Sequence, residues 1–218
     1  TPMYRRQFIQ ESLDERLKKL TPILCLGGAG TFLFLSGLDY VRTPEHFSLF
    51  LLYRIIVSGL LLCFFLILRR SRFQNIRVYK ALTYVATIAS VATIELMILK
   101  TGGHASSYYV GISLVGIWVV SFLPVSFSTA LVYILTIYGG YVIPILATES
   151  IIDLRTFWTA NVFLIALLSS SFIFRQFHVR SLVNELELQY DLEAYKGHLE
   201  QLVNDRTTQL SATVADLQ

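Results

Sequence analysis

Two ionisable residues stand inside otherwise apolar stretches: Arg54 within Phe47–Leu68 and Glu95 within Ala81–Leu99. A charge in such a setting is paired, solvated in a cavity, or used in moving a proton or recognising a ligand. Asp39 and Asn161, near the ends of two further apolar stretches, bring a carboxylate and an amide toward the same level. The spacing therefore predicts an Arg54–Glu95 ion pair with Asp39 or Asn161 alongside. It would serve as an internally satisfied packing pair, as the wall of a ligand pocket, or in proton coupling. The string Lys100-Thr-Gly-Gly-His-Ala-Ser-Ser-Tyr-Tyr109 adds further chemistry. Gly102 and Gly103 permit a sharp turn with positive φ. His104 can titrate, and with His46 it offers two imidazoles on separate loops, a weak ligand set, so no metal is assigned. Tyr108, Tyr109 and Trp158 fit either an interfacial aromatic belt or a pocket lid. The candidate ligand-binding set is Arg54, Glu95, Asn161, His104, Tyr108 and Asp39. No catalytic residue and no cofactor are expected.

The elements that must hold these residues are helices in a bilayer. Of 218 residues, 54% are hydrophobic, and mean hydropathy is +0.58, outside the range of soluble domains. The apolar residues fall into blocks of roughly 16–22, enough to cross ~30 Å of hydrocarbon at ~1.5 Å per residue. Six are read: Leu20–Leu38, Phe47–Leu68, Ala81–Leu99, Ser106–Leu123, Phe127–Ala147 and Phe157–Phe174. They are continuously apolar rather than alternating, which argues against barrel strands. The first is no cleavable signal peptide, because another span comes at once after it and no small-residue cleavage site is present. Pro124-Val125-Ser126 reads as a tight inner-face hairpin between the fourth and fifth spans; a single broken or re-entrant helix there would change the parity of the later spans.

Basic residues cluster before the first span (Arg5, Arg6, Arg16, Lys18, Lys19), between the second and third (Arg69, Arg70, Arg72, Arg77, Lys80) and after the sixth (Arg175, Arg180). By the positive-inside rule both termini are cytoplasmic, as an even number of spans requires. Topology accounts for the basic clusters, so no nucleic-acid partner is expected. Gly27-Gly28-Ala-Gly30 lies in an apolar helix with no Lys-Ser/Thr after it and is no phosphate loop. These glycines, with Gly111, Gly116, Gly139 and Gly140, let helices approach closely, and Pro144 adds a kink to the fifth span. Cys25 and Cys63 share a depth on neighbouring spans and read as small buried side chains.

Residues 1–19 read as an amphipathic helix on the inner membrane surface, 20–174 as the six-helix transmembrane domain, and 175–218 as a cytoplasmic coiled-coil signalling helix. Leu188, Leu192, Tyr195, Leu199, Val203, Thr207, Leu210, Val214 and Leu217 form a seam spaced by threes and fours, with extra fours near Leu199–Thr207 that suggest a stutter. The run from Phe157 to Gln218 would be a rod of roughly 90 Å if unbroken. His198, in Lys-Gly-His-Leu-Glu, lacks the surroundings of a phosphate-accepting histidine. The chain starts without Met and stops within a helix, which suggests a fragment.

Leu199-Glu-Gln-Leu-Val-Asn-Asp-Arg-Thr-Thr-Gln-Leu210 resembles the Leu-Glu-x-x-Val-x-x-Arg-Thr-x-x-Leu linker that precedes the phosphotransfer domain of bacterial sensor histidine kinases; Leu199, Glu200, Val203, Arg206, Thr207 and Leu210 match. The same linker occurs before diguanylate cyclase and other output domains. The six-span region is similar in organisation to the multi-pass membrane sensors of such kinases, including receptors for small apolar autoinducers. Gly102–Tyr109 is similar to a loop in some of them.

The resemblance implies a sensor of a two-component system, with Leu192, Tyr195, Leu199, Val203, Arg206, Thr207 and Leu210 transmitting the signal. Its implied partners are the lipid bilayer, a second copy of the chain, a small apolar or amphipathic ligand, and a response regulator reached through a kinase core that these 218 residues do not contain. The chain itself is then no enzyme. The expected fold is all-α: a six-transmembrane-helix bundle whose last helix continues into a parallel dimeric coiled coil. A membrane anchor for a nucleotide cyclase and a small transporter are the rival readings.

Overall fold

The computed structural model describes residues 2–70, 75–148 and 153–216, with side chains for 7–70, 75–148 and 153–209. The side chains of Arg5, Arg6, Leu210 and Val214, and residues Arg72 and Leu217, lie outside that set. Helices are α1 (Pro2–Phe34), α2 (Ser36–Arg42), α3 (Phe47–Arg69), α4 (Ile76–Lys100), α5 (Tyr109–Gly116), α6 (Phe127–Thr148) and α7 (Leu154–Asp216). Short 3₁₀ turns occupy Pro44–His46 and Gly103–Ala105, and α5 runs on as a π turn, Ile117–Ser121. The chain forms two compact units, Leu13–His178 and a smaller one made of Thr1–Ser12 with Val179–Gln218.

Among the described residues, five helical segments are long and apolar enough to cross a membrane: Gln7–Arg42, Pro44–Arg69, Ile76–Lys100, Phe127–Thr148 and Leu154–Gln209. The expected fourth span is shorter, a helical stretch of Tyr109–Ser121 only. Tyr109 meets Phe163 of α7, and Val125, beyond its end, meets Arg175 of the same helix, about 18 Å further along. Leu123–Ser126 leave the helix.

The amphipathic segment expected at 1–19 is not separate from the first span. α1 runs through it, with Pro22 inside the helix. A proline costs one hydrogen bond there, and such interruptions are tolerated in membrane helices where side chains or neighbours satisfy the freed groups. In the smaller unit the ring of Phe8 lies 5.5 Å from that of Tyr190, and Leu182 and Leu186 are buried. The first turns of α1 therefore pack against the C-terminal part of α7.

In the larger unit α4 is central, with α3, α5 and α6 packed on it. In hydrocarbon, lipid tails are as apolar as leucine, so helices associate by close fit and by hydrogen bonds rather than by escape from water. Glycines set the fit. A Cβ on Gly116 would stand 2.5 Å from Leu168 Cδ2, and one on Gly140 2.6 Å from Val91 Cγ1. Tyr84 and Thr136 share a hydrogen bond of 2.9 Å between α4 and α6, and the Ser58 hydroxyl donates to the Ala29 carbonyl at 3.1 Å. Ile23, Phe34, Leu135, Ile143 and Ile165 turn outward, the surface that a bilayer covers.

Candidate ligand-binding site

Asp39 reaches the interior because α1 stops at Phe34 and the chain restarts as α2. Its carboxylate is fully buried (0% exposed) and Arg54 of α3 nearly so (5%). The guanidinium clasps it bidentately, Nε donating to Oδ2 and Nη2 to Oδ1 at 3.0 Å, while Nη1 donates to the Phe32 carbonyl at 3.2 Å. The Tyr108 hydroxyl donates to Asp39 Oδ1 at 2.9 Å and lies 2.9 Å from the Thr43 hydroxyl. The ring of Phe50 meets that of Tyr108 edge-on at 5.6 Å. Charge is balanced within the cluster, the condition under which a buried ion pair is tolerated.

This geometry corrects the expected pairing. The carboxylate on Arg54 is Asp39, because the break after Phe34 brings α2 over α3; Glu95, also buried, lies on α4 beside Tyr141. Asn161 is elsewhere too, bridging α6 and α7: it accepts from the Tyr138 hydroxyl at 3.0 Å and donates to the Phe157 carbonyl at 2.8 Å. Of the candidate set, the structure unites Asp39, Arg54 and Tyr108.

Gly102 and Gly103 adopt φ of 98° and 52°, as the turn requires. They deliver His104, buried, whose Nε2 accepts the Asp153 backbone N–H at 3.3 Å. Asp153 in turn caps α7, accepting from the backbone N–H groups of Arg155 and Thr156 at 3.1 Å and from the Thr156 hydroxyl. The Thr156 hydrogen bonds hold the Asp153 carboxyl below its usual range. His46 instead packs its ring on Phe50, at 5.7 Å. Among the described residues no group of three or more His, Cys, Asp or Glu side chains could hold a metal. Cys25 is buried, but Cys63 is exposed.

Beside the Arg54–Asp39 pair lies a cavity of about 90 Å³, walled by α1, α3, α4 and α5 and bordered by Arg54 and Tyr108. Its lining runs from Thr21 on α1 to Leu35 just past the end of that helix, and on α5 and the π turn from Gly111 to Val119, ending at Leu123. Trp118 packs 3.2 Å from the Cβ position of Gly27, so a larger residue at Gly27 would displace the indole.

Sequence reasoning also passed over Arg175, read only as a topology marker. Its side chain is buried (2% exposed) and donates to the Val125 carbonyl. Irregular backbone at membrane depth is tolerated only when protein groups satisfy it, and Arg175 satisfies the carbonyl that the non-helical Leu123–Ser126 segment releases.

A family model for MASE8, a family of membrane-associated sensory domains, matches residues 37–187. The chain belongs to the MASE8 family. No curated protein and no solved structure matches the sequence. The MASE8 match contains Asp39, Arg54, Glu95, His104, Tyr108, Asn161 and Arg175, and it ends at Glu187, before the exposed seam. Membrane-associated sensing is thus the activity of this region, and the α1 wall of the cavity lies outside the family match.

Proposed function

We propose that this MASE8 domain is the sensory half of a larger bacterial signalling protein, seated in the inner membrane with both termini cytoplasmic. Ligand or membrane state favours one packing of the bundle, and α7 carries the change to an output domain. The short Tyr109–Ser121 helix with its non-helical extension counts here as a sixth crossing. The observation that carries the reading is the continuity of α7, helical without interruption from Leu154 to Asp216. Residues 175–181 lie within this helix. Beyond them the seam residues Leu188, Leu192, Tyr195, Leu199 and Val203 are exposed, at 75%, 70%, 71%, 52% and 64%. An exposed apolar stripe of this spacing suits a parallel coiled coil with a second copy.

The linker-like string from Leu199 to Leu210 favours a histidine kinase core, acting on a response regulator; a nucleotide cyclase is the second reading, since the same linker precedes cyclases. Inserting one residue after Val203 turns everything downstream by about 100°. In the full-length protein this single insertion should lock output high or low, and a seven-residue insertion should restore regulation. Output indifferent to insertion length would eliminate helical transmission. Acid-labile phosphate on the protein, against a cyclic nucleotide product, separates the kinase from the cyclase.

A further inference from the structure

We propose that the cavity between α1 and α5 is a binding site for a free single-chain aliphatic amphiphile with a small uncharged head, held with its chain along α1 and its head at Arg54. The proposal rests on the sensory reading above and supplies its ligand class.

Shape is the first argument. The lining extends from Thr21 on α1 to Leu35 just past its end, a rise of about 21 Å. A volume of about 90 Å³ drawn out over that length is a cleft one aliphatic chain wide.

The walls are the second. Thr21, Thr31, Thr83 and Thr87 border the cleft, but each hydroxyl donates to a carbonyl one turn back in its own helix. Their hydrogen-bonding capacity is directed at the backbone, and away from Arg54, Tyr108 and the Ser90 hydroxyl the side chains left for a ligand are hydrocarbon.

The head site is the third. Three of the five guanidinium N–H groups of Arg54 are engaged by Asp39 and the Phe32 carbonyl, leaving two donors at the border of the cleft. Asp39 already neutralises the cation, so a ligand carboxylate would place a second anion beside a buried one. A hydroxyl or carbonyl oxygen accepts the remaining donors without that penalty. A phospholipid headgroup would likewise bring a phosphate anion beside the buried Asp39 carboxylate.

Access is sideways. Leu24, Gly28 and Thr31 on α1, Leu35 just past its end, and Leu114 and Trp118 opposite, line the cleft while remaining half-exposed. Its mouth therefore faces the hydrocarbon between α1 and α5.

Trp118 provides the readout. In the full chain carrying Trp158→Phe, reconstituted in lipid nanodiscs, ω-bromodecanol should quench Trp118 emission along a saturating curve. Gly28→Leu and Ala86→Leu each fill the cleft from a different helix. Either should weaken the apparent affinity about tenfold or more and leave only the linear quenching of bulk partition, with helicity by circular dichroism unchanged. Quenching that is linear in the unfilled chain, or saturates equally in both filled variants, overturns the site. Saturable, filling-sensitive quenching by a phospholipid brominated on its acyl chain makes the occupant a bilayer lipid and overturns the free amphiphile. Decanoate competing as well as decanol overturns the uncharged head.

Coupling is read separately, as disulfide formation between chains at Leu192→Cys in a Cys63→Ser background, with and without decanol. Binding that leaves cross-linking unchanged keeps the site and sinks the sensory reading. A decanol effect on cross-linking that survives both filled variants keeps the sensory reading and sinks the site.

Discussion

At the scale of single residues, the Arg54–Asp39 pair holds the head of the bundle by a balance of two desolvated charges. Removing one partner strands the other. Arg54→Gln or Asp39→Asn should each cost about 3 kcal/mol of stability, measured by denaturation in mixed micelles. The double variant should cost less than the sum, and strict additivity would show that the pair is not coupled. Asp153 makes a different prediction. Its folded-state pKa lies below the unfolded value, so its cap stabilises α7 fully above the ordinary carboxylate range and the contribution is lost as pH falls through the lowered pKa. Amide exchange at Thr156 should accelerate in that acid window, and Asp153→Ala should abolish the pH dependence. Which of these partners was legible in the sequence depended on local chain geometry. Arg54 and Asp39 were visible as charges beside apolar runs, but their pairing arises from the break at Leu35, which hydropathy does not register. The role of Arg175 was hidden for a related reason: its acceptor is a backbone carbonyl, and no residue type announces one.

At the scale of elements, helix boundaries tracked hydrophobic length, and departures appeared where side chains reshape the backbone. α1 runs with Pro22 inside it through the boundary at residues 19 and 20 that the change from amphipathic to apolar pattern suggested. The fourth apolar run ends in a π turn and a non-helical segment because Pro124 cannot continue the ladder. The turn at Gly102-Gly103 was legible from glycine alone, since positive φ is a property of the residue. The glycines inside the helices matter for clearance. Gly140→Ala would force its Cβ against Val91, a β-branched side chain with little freedom to turn away, and should destabilise by about 1–3 kcal/mol. Val91→Ala should relieve most of that loss in the double variant. A melting temperature for Gly140→Ala equal to the parent would mean that α4 and α6 do not meet at this point.

For the whole molecule, composition alone established a helical membrane protein, and the family match places sensing in the same region. The leucine seam was legible as a spacing but not as a surface, because its exposure is set by the fold. If the exposed stripe is a dimer seam, Leu199→Asp should shift the nanodisc-embedded chain from two copies to one by native mass spectrometry, while thermal stability of the bundle stays unchanged. A population of dimers undiminished by this charge would move the interface to the membrane-embedded surface. The sideways mouth between α1 and α5 has a practical corollary for any such experiment. A compound that enters from the bilayer acts according to its mole fraction in the lipid, so potencies quoted against aqueous concentration will drift with the amount of membrane present. Titrations become comparable only when dose is counted per lipid.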